Sequence, residues 1–304
     1  MFAKILKKLE DTYQYLIEER LIKKSKTINI SSVKTICFIA GPYRNLTSLT
    51  ASIAVLHPNC QVLNHAKDRI FPHDSVDFFR SYSDSKFKRF IQYAILLSQS
   101  GKRGNYGGSI TFSHAFDKAL MKEIYTKRFE NSLLKKDIQC LFWKEGLYVK
   151  NHMEEHNMHP STLIQKSEKI RFVLPIRNPL DCALSNKKTN LSLIYNHLTA
   201  ESSIHDIIKA ILNDFLSFFK NQKKYPKFFF HFFQHSFDSA TLKQFCMHME
   251  LPFNREWEAD VFRVYNIKPS YNHSKKNITF YKKYVTNHFQ EFPAEQKKLL
   301  QFVD

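Results

Sequence analysis

Two segments of this chain place basic and hydroxyl side chains where a run of apolar residues gives way to helical spacing. The first is FIAGPYRNLTSLTASIAVLHP, Phe38 to Pro58. Gly41 permits a tight turn after the apolar run. Residues 44–49 (Arg44, Asn45, Leu46, Thr47, Ser48 and Leu49) would aim backbone N–H groups at an anion seated on the helix start. Thr47 and Ser48 add hydroxyl donors and Arg44 a fixed positive charge. A nucleoside-triphosphate loop needs lysine immediately before its Ser/Thr, with the hydroxyl on magnesium. Leu46 stands there instead, so the spacing fits an anion better than a magnesium triphosphate.

The second segment is FVLPIRNPLDCALSN, 172–186. Arg177 ends an apolar run, Asn178 is placed as a helix cap and Pro179 opens the helix. Arg177 and Ser185 are too far apart to share a helix face. They converge only if Arg177 sits at a strand end and reaches over the following helix, where the pair would grip a second anion.

The elements that must carry these segments read as alternating strand and helix. Short apolar runs occur at 33–40, 61–65, 138–143, 170–176 and 227–234, the near-continuous pattern of strands covered on both faces. Helical spacing fills 46–57, 76–98, 112–134, 196–221 and 238–249. The alternation predicts an α/β fold with a central parallel sheet and flanking helices. Residues 1–30 are expected to form an N-terminal helix packed on the core, and 31–304 one domain with a mainly helical insertion at about 66–137. In the first helix Phe2, Leu6, Leu9, Tyr13 and Leu16 share one face; docking on the core and contact with a membrane surface through residues 1–24 both use such a stripe. Interspersed acidic residues favour docking. The glycine-rich SGKRGNYGGSITFSH reads as a mobile loop over a site.

Composition sets the partner class. Lys and Arg number 46 against 28 Asp and Glu, a formal charge of +18, so anionic partners are expected. Five cysteines with no CxxC, no apolar run of membrane length and no cleavable leader predict a reduced, cytoplasmic protein. FFFHFFQH among lysines could stack on bases, but a buried strand explains it better, so nucleic acid is not an expected partner. HMEEH, 152–156, is a literal H-x-x-E-H. Two histidines four apart can share a helix face, and His159 is near. The sequence identifies no third ligand, and no metal is assigned.

Together the two opening segments resemble the sulfotransferase superfamily, which has a P-loop-like three-layer fold and uses 3′-phosphoadenosine 5′-phosphosulfate (PAPS) as donor. Its first motif, G-x-x-R/K-S-G-T-T/S-x-L, is similar to GPYRNLTSLT at Gly41, Arg44, Thr47, Ser48 and Leu49, with Asn45 and Leu46 replacing Ser-Gly. Its second, R-x-P-x-D-x-x-x-S, is similar to RNPLDCALS at Arg177, Pro179, Asp181 and Ser185. The resemblance implies sulfonate transfer to a hydroxyl or amine of an acceptor the sequence does not name, with no metal. Residues 45–49 would hold the 5′-phosphate, and Arg177 with Ser185 the 3′-phosphate. Arg44 and Lys144, which follows run 138–143, would neutralise the bridging oxygen and the sulfonate as the bond breaks. Lys275 and Lys276 resemble a basic loop closing on the 3′-phosphate. A general base is also needed. His65, ending QVLNH at a strand's carboxyl end, is the first choice and His114 the second.

Overall fold

The computed structural model describes residues 2–104, 106–267 and 271–304. Seven strands form one sheet: β1 (Thr35–Ile39), β2 (Cys60–Asn64), β3 (Gly101–Lys102), β4 (Gly107–Ser109), β5 (Cys140–Lys144), β6 (Ile170–Ile176) and β7 (Phe229–Phe233). Their order is β3-β4-β2-β5-β1-β6-β7. The five longer strands are parallel, as the apolar runs predict; β3 and β4 join antiparallel, so the sheet is mixed. Every residue of β1, β2, β5 and β6 is buried, which accounts for their unbroken hydrophobicity.

Two apolar layers cover the sheet. One face carries Ile36, Phe38, Trp143, Phe172 and Leu174, packed under helices Leu147–Glu155, Pro179–Lys188 and Ile204–Lys224. The other carries Cys37, Ile39, Phe142 and Val173, packed under helices Thr47–Leu56, Ser239–His248 and Arg255–Val264. The helix after β1 and the helix after β6 therefore leave toward opposite faces, although their strands are neighbours. In parallel α/β sheets that divergence opens a crevice at the carboxyl ends.

Two features were not foreseen. Residues 101–102 and 107–109 of the glycine-rich segment pair antiparallel on the β2 edge, a small piece of sheet within the mainly helical insertion. Two of its glycines are required by backbone-on-backbone contact: a Cβ on Gly107 would stand 2.3 Å from the Ala66 nitrogen, and one on Gly108 1.9 Å from the Ser100 carbonyl oxygen. The N-terminal helix, Phe2–Ser25, packs through a different face from the one its spacing predicts. Leu6, Leu9, Tyr13 and Leu16 are 45%, 61%, 65% and 54% exposed. Contact runs instead through Glu18, Ile22 and Ser25. Glu18 is buried against Arg69 (Nε–Oε1 2.9 Å, Nη2–Oε2 3.1 Å) and accepts from Tyr93 Oη, while Glu19 meets His73 Nδ1 at 2.7 Å. A carboxylate can be buried here because a guanidinium waits for it. Among the described residues, no helix is long and apolar enough to cross a membrane.

Candidate functional site

Strand register builds the site. Asn64 of β2 pairs with Lys144 of β5, and the next residue, His65, donates its backbone N–H to the Lys144 carbonyl at 3.0 Å. His65 thus turns out of the sheet beside the Lys144 side chain, with φ at 55°. Lys144 Nζ lies 3.0 Å from His65 Nε2, and His65 Nδ1 lies 3.2 Å from Glu145 Oε1. If the lysine donates to Nε2, Nδ1 carries the imidazole proton and donates to the carboxylate. The three side chains form one polar chain at the carboxyl ends of β2 and β5. Lys144 is nearly buried, and desolvation pulls its pKa down to about 8 against the opposing charge of Glu145.

The first loop closes over this chain through Tyr43, a residue the sequence reading passed over. Its hydroxyl stands 3.0 Å from both the backbone carbonyl and Oε1 of Glu145, and its ring lies parallel to His65 at a centroid distance of 6.3 Å. Burial first, and the Glu145 charge second, push the phenol pKa far up, so Tyr43 is a neutral donor. No motif marks Tyr43; its signal is only its position between Gly41 and Arg44.

Leaving β1, Ala40 donates to the Val173 carbonyl at 2.7 Å, and Gly41 turns with φ 89°. A side chain there would meet Leu174 Cδ1 at 2.5 Å. Asn45 is fully buried and its amide staples the two motif loops: Nδ2 donates to the Pro175 carbonyl and Oδ1 accepts from Arg177 N–H at 2.9 Å. Leu46, where the family motif has glycine, adopts the left-handed backbone a glycine would supply (φ 61°, ψ 10°). Helix Thr47–Leu56 begins there, its first turn closed by Thr50 N–H on the Leu46 carbonyl at 2.9 Å. The N–H groups of Thr47, Ser48 and Leu49 precede that bond.

Arg44, with φ 63°, crosses to the second motif, where its Nε donates to Ser185 Oγ at 2.7 Å. Beside it Arg177 Nη2 pairs with Asp181 Oδ2 at 3.2 Å, and Asp181 Oδ1 meets His273 Nε2 at 2.9 Å. His273, another residue the sequence reading missed, is nine-tenths buried and brings the C-terminal segment to this motif. Lys275 and Lys276 follow it, exposed in the first turn of helix Lys275–His288, whose cap Ser274 accepts from Asn277 N–H. His114 lies elsewhere: its side chain is 83% exposed and its partners are Arg103 and Asp117. Of the two proposed bases, only His65 is joined to Lys144.

A narrow crevice between Gly41, Tyr43, Thr47, Lys144 and Gly146 has no room for a water molecule. An apolar pocket of about 280 Å³ adjoins it at Gly41 and Gly146, lined by Phe38, Phe172, Met153 and Phe218 and bordered by Lys150 and Asp214. Asp77, His152 and His156 lie together beside Phe71, whose ring stacks on His152.

No known protein family and no curated protein matches the chain. Among solved structures, it is similar to the mouse sulfotransferase SULT7A1 complexed with PAP, at 11% identity and TM-score 0.45, with 93% of each chain covered. It is also similar to the sulfotransferase STF9 from Mycobacterium avium, at 9% identity and TM-score 0.39, covering 87% of this chain and 79% of that one. Likeness at this level assigns neither activity nor substrate.

Proposed function

We propose that the protein transfers a sulfonate group from PAPS to a hydroxyl or amine. The observation that carries this reading is the Arg44–Ser185 contact, which draws together two segments proposed to bind anions, 141 residues apart in sequence. A donor with two separate anionic groups fits that pairing better than a single phosphate does. The 5′-phosphate would take the N–H groups at 47–49 with the Thr47 and Ser48 hydroxyls. The 3′-phosphate would take Arg177, Ser185 and Arg44, with Lys275 and Lys276 adding charge.

Transfer is an in-line displacement at sulfur. The acceptor oxygen or nitrogen forms the new bond to sulfur as the bond to the bridging oxygen breaks, and adenosine 3′,5′-bisphosphate leaves. The acceptor proton passes to His65 Nε2, with Glu145 holding Nδ1–H and stabilising the imidazolium that forms. Lys144 meets the charge that grows on the departing oxygen and the sulfonate. Positioning and charge do the work, as in phosphoryl transfer, and the reading assigns no metal to the step. The apolar pocket beside Gly146 would receive the non-reacting part of the acceptor.

The test is a titration with adenosine 3′,5′-bisphosphate, ATP with magnesium and a single-stranded oligonucleotide, followed by an acceptor screen with labelled PAPS. The bisphosphate is expected to bind at least tenfold more tightly than either rival. Preference for ATP with magnesium would make the protein a kinase instead. Preference for the oligonucleotide would make it a nucleic-acid binder.

A further inference from the structure

We infer that Asp77, His152 and His156 form a site for a divalent first-row transition metal, of which zinc is the representative. The two histidines of HMEEH sit at the end of helix Leu147–Glu155, His156 being its C-cap, with ring centroids 4.6 Å apart. The third ligand, which the sequence could not supply, arrives from 75 residues earlier. Asp77 is fully buried and places Oδ2 2.8 Å from His152 Nε2. One donor atom from each of the three lies within 4.8 Å of the others. Donors about 2.1 Å from a tetrahedral ion stand about 3.4 Å apart, so the set closes when Asp77 Oδ2 and His152 Nε2 open from 2.8 Å and His156, the least buried of the three, turns inward.

The surroundings orient the other two ligands. Asp77 Oδ1 accepts the N–H groups of Phe79 at 3.2 Å and Arg80 at 3.4 Å, leaving Oδ2 toward the histidine. His152 is clamped flat on Phe71 at 3.8 Å. Coordination through His152 Nε2 requires the ring proton on Nδ1, where Glu155 Oε2 lies 3.9 Å away as an orienting carboxylate. The competing cation is Arg80, with Nε 3.7 Å from Asp77 Oδ2; its side chain is half-exposed and is otherwise held by one long hydrogen bond, Nη2 to the Phe71 carbonyl at 3.5 Å. His152 and Glu155 line an open groove of about 510 Å³, which gives an ion access. A simple hydrogen bond accounts for Asp77 with His152 but gives no role to His156. Two neutral imidazoles and one carboxylate are a donor set suited to zinc, with a fourth position left for water. This inference is independent of sulfonate transfer.

The experiment uses the full chain freed of metal with chelator, titrated with zinc chloride by calorimetry and with cobalt(II) by visible absorption. The wild type is expected to take up one zinc with micromolar or tighter affinity and to give cobalt the intense d–d bands of a four-coordinate site. His156→Ala and Asp77→Asn are each expected to weaken zinc at least tenfold. Asn retains the Oδ1 acceptor, and circular dichroism verifies that both variants fold. Absence of saturable zinc binding, six-coordinate cobalt bands, or equal affinity in folded variants and wild type would overturn the assignment. Should a variant fail to fold, the wild-type cobalt spectrum alone decides.

Discussion

Lys144 Nζ and His65 Nε2 stand 3.0 Å apart, so the proposed charge-bearing group and the proposed base occupy one hydrogen bond. The acceptor hydroxyl must replace the lysine at Nε2 before it can lose its proton there. Glu145, which holds the opposite nitrogen, then decides whether Nε2 keeps a lone pair. Glu145→Gln is expected to lower turnover about a hundredfold while leaving bisphosphate affinity within about threefold. Single-turnover transfer and nitrogen NMR of the imidazole tautomer check this. Unchanged turnover with a changed tautomer would remove His65 as the base.

Burial places the Lys144 pKa near 8, so its ammonium is lost as pH rises through that value. Turnover is therefore expected to fall above about pH 8. A guanidinium does not titrate there, so Lys144→Arg should lose this alkaline limb even where its overall rate is lower. An identical limb in both proteins would assign the titration to another group.

Arg44 and Ser185 are expected to act as a unit. Sequence reasoning aimed Arg44 at the bridging oxygen, whereas its Nε is engaged by the second motif. Arg44→Ala and Ser185→Ala should each weaken adenosine 3′,5′-bisphosphate more than adenosine 5′-phosphate, and the double variant should lose less than the product of the two. Independent, multiplicative losses would mean that the contact does not serve the bisphosphate.

Leu46 already holds the left-handed backbone that the family motif gives to glycine. Leu46→Gly is therefore expected to leave bisphosphate affinity within about threefold, and Leu46→Val, strained at positive φ, to weaken it clearly. A large gain with glycine would show that the leucine side chain obstructs the loop.

One buried and two largely covered histidines predict acid sensitivity. Burial lowers His57 to about 4 and both His231 and His248 to about 3, below their ordinary 6.5. Between pH 6.5 and about 3 the unfolded chain binds protons that the folded one refuses. Stability thus falls as pH falls through that window. Urea unfolding at pH 7, 5.5 and 4.5 should give a declining free energy, with a shallower decline in His248→Gln. The same slope in that variant would show that His248 does not contribute.

Four of the five parallel strands were legible because burial on both faces leaves no polar alternation to misread, and β7, only partly covered at Phe230 and His231, was legible from its run of phenylalanines. The hairpin at Gly101–Ser109 was not, since glycine carries no side-chain pattern and its signal is the contact of one backbone on another. The docking face of the first helix was hidden for a different reason. Glu18 reads as solvent-facing until Arg69, 51 residues on, is folded against it. The two strand-to-helix segments were legible as local spacings. Their joining through Asn45, and the clasp made by Tyr43 on Glu145, are tertiary facts that no spacing records.

The β3–β4 hairpin also bears on colloidal behaviour. A chain with 28 phenylalanines is at risk wherever a sheet ends in a long strand with open peptide groups, because another chain can pair there. On this side the sheet tapers from β2 through three residues to a strand of only two, Gly101 and Lys102, the last of them charged. So short a border offers too few donors and acceptors to template growth. The same glycines that allow the close turn leave the protein with a blunt, self-limiting margin.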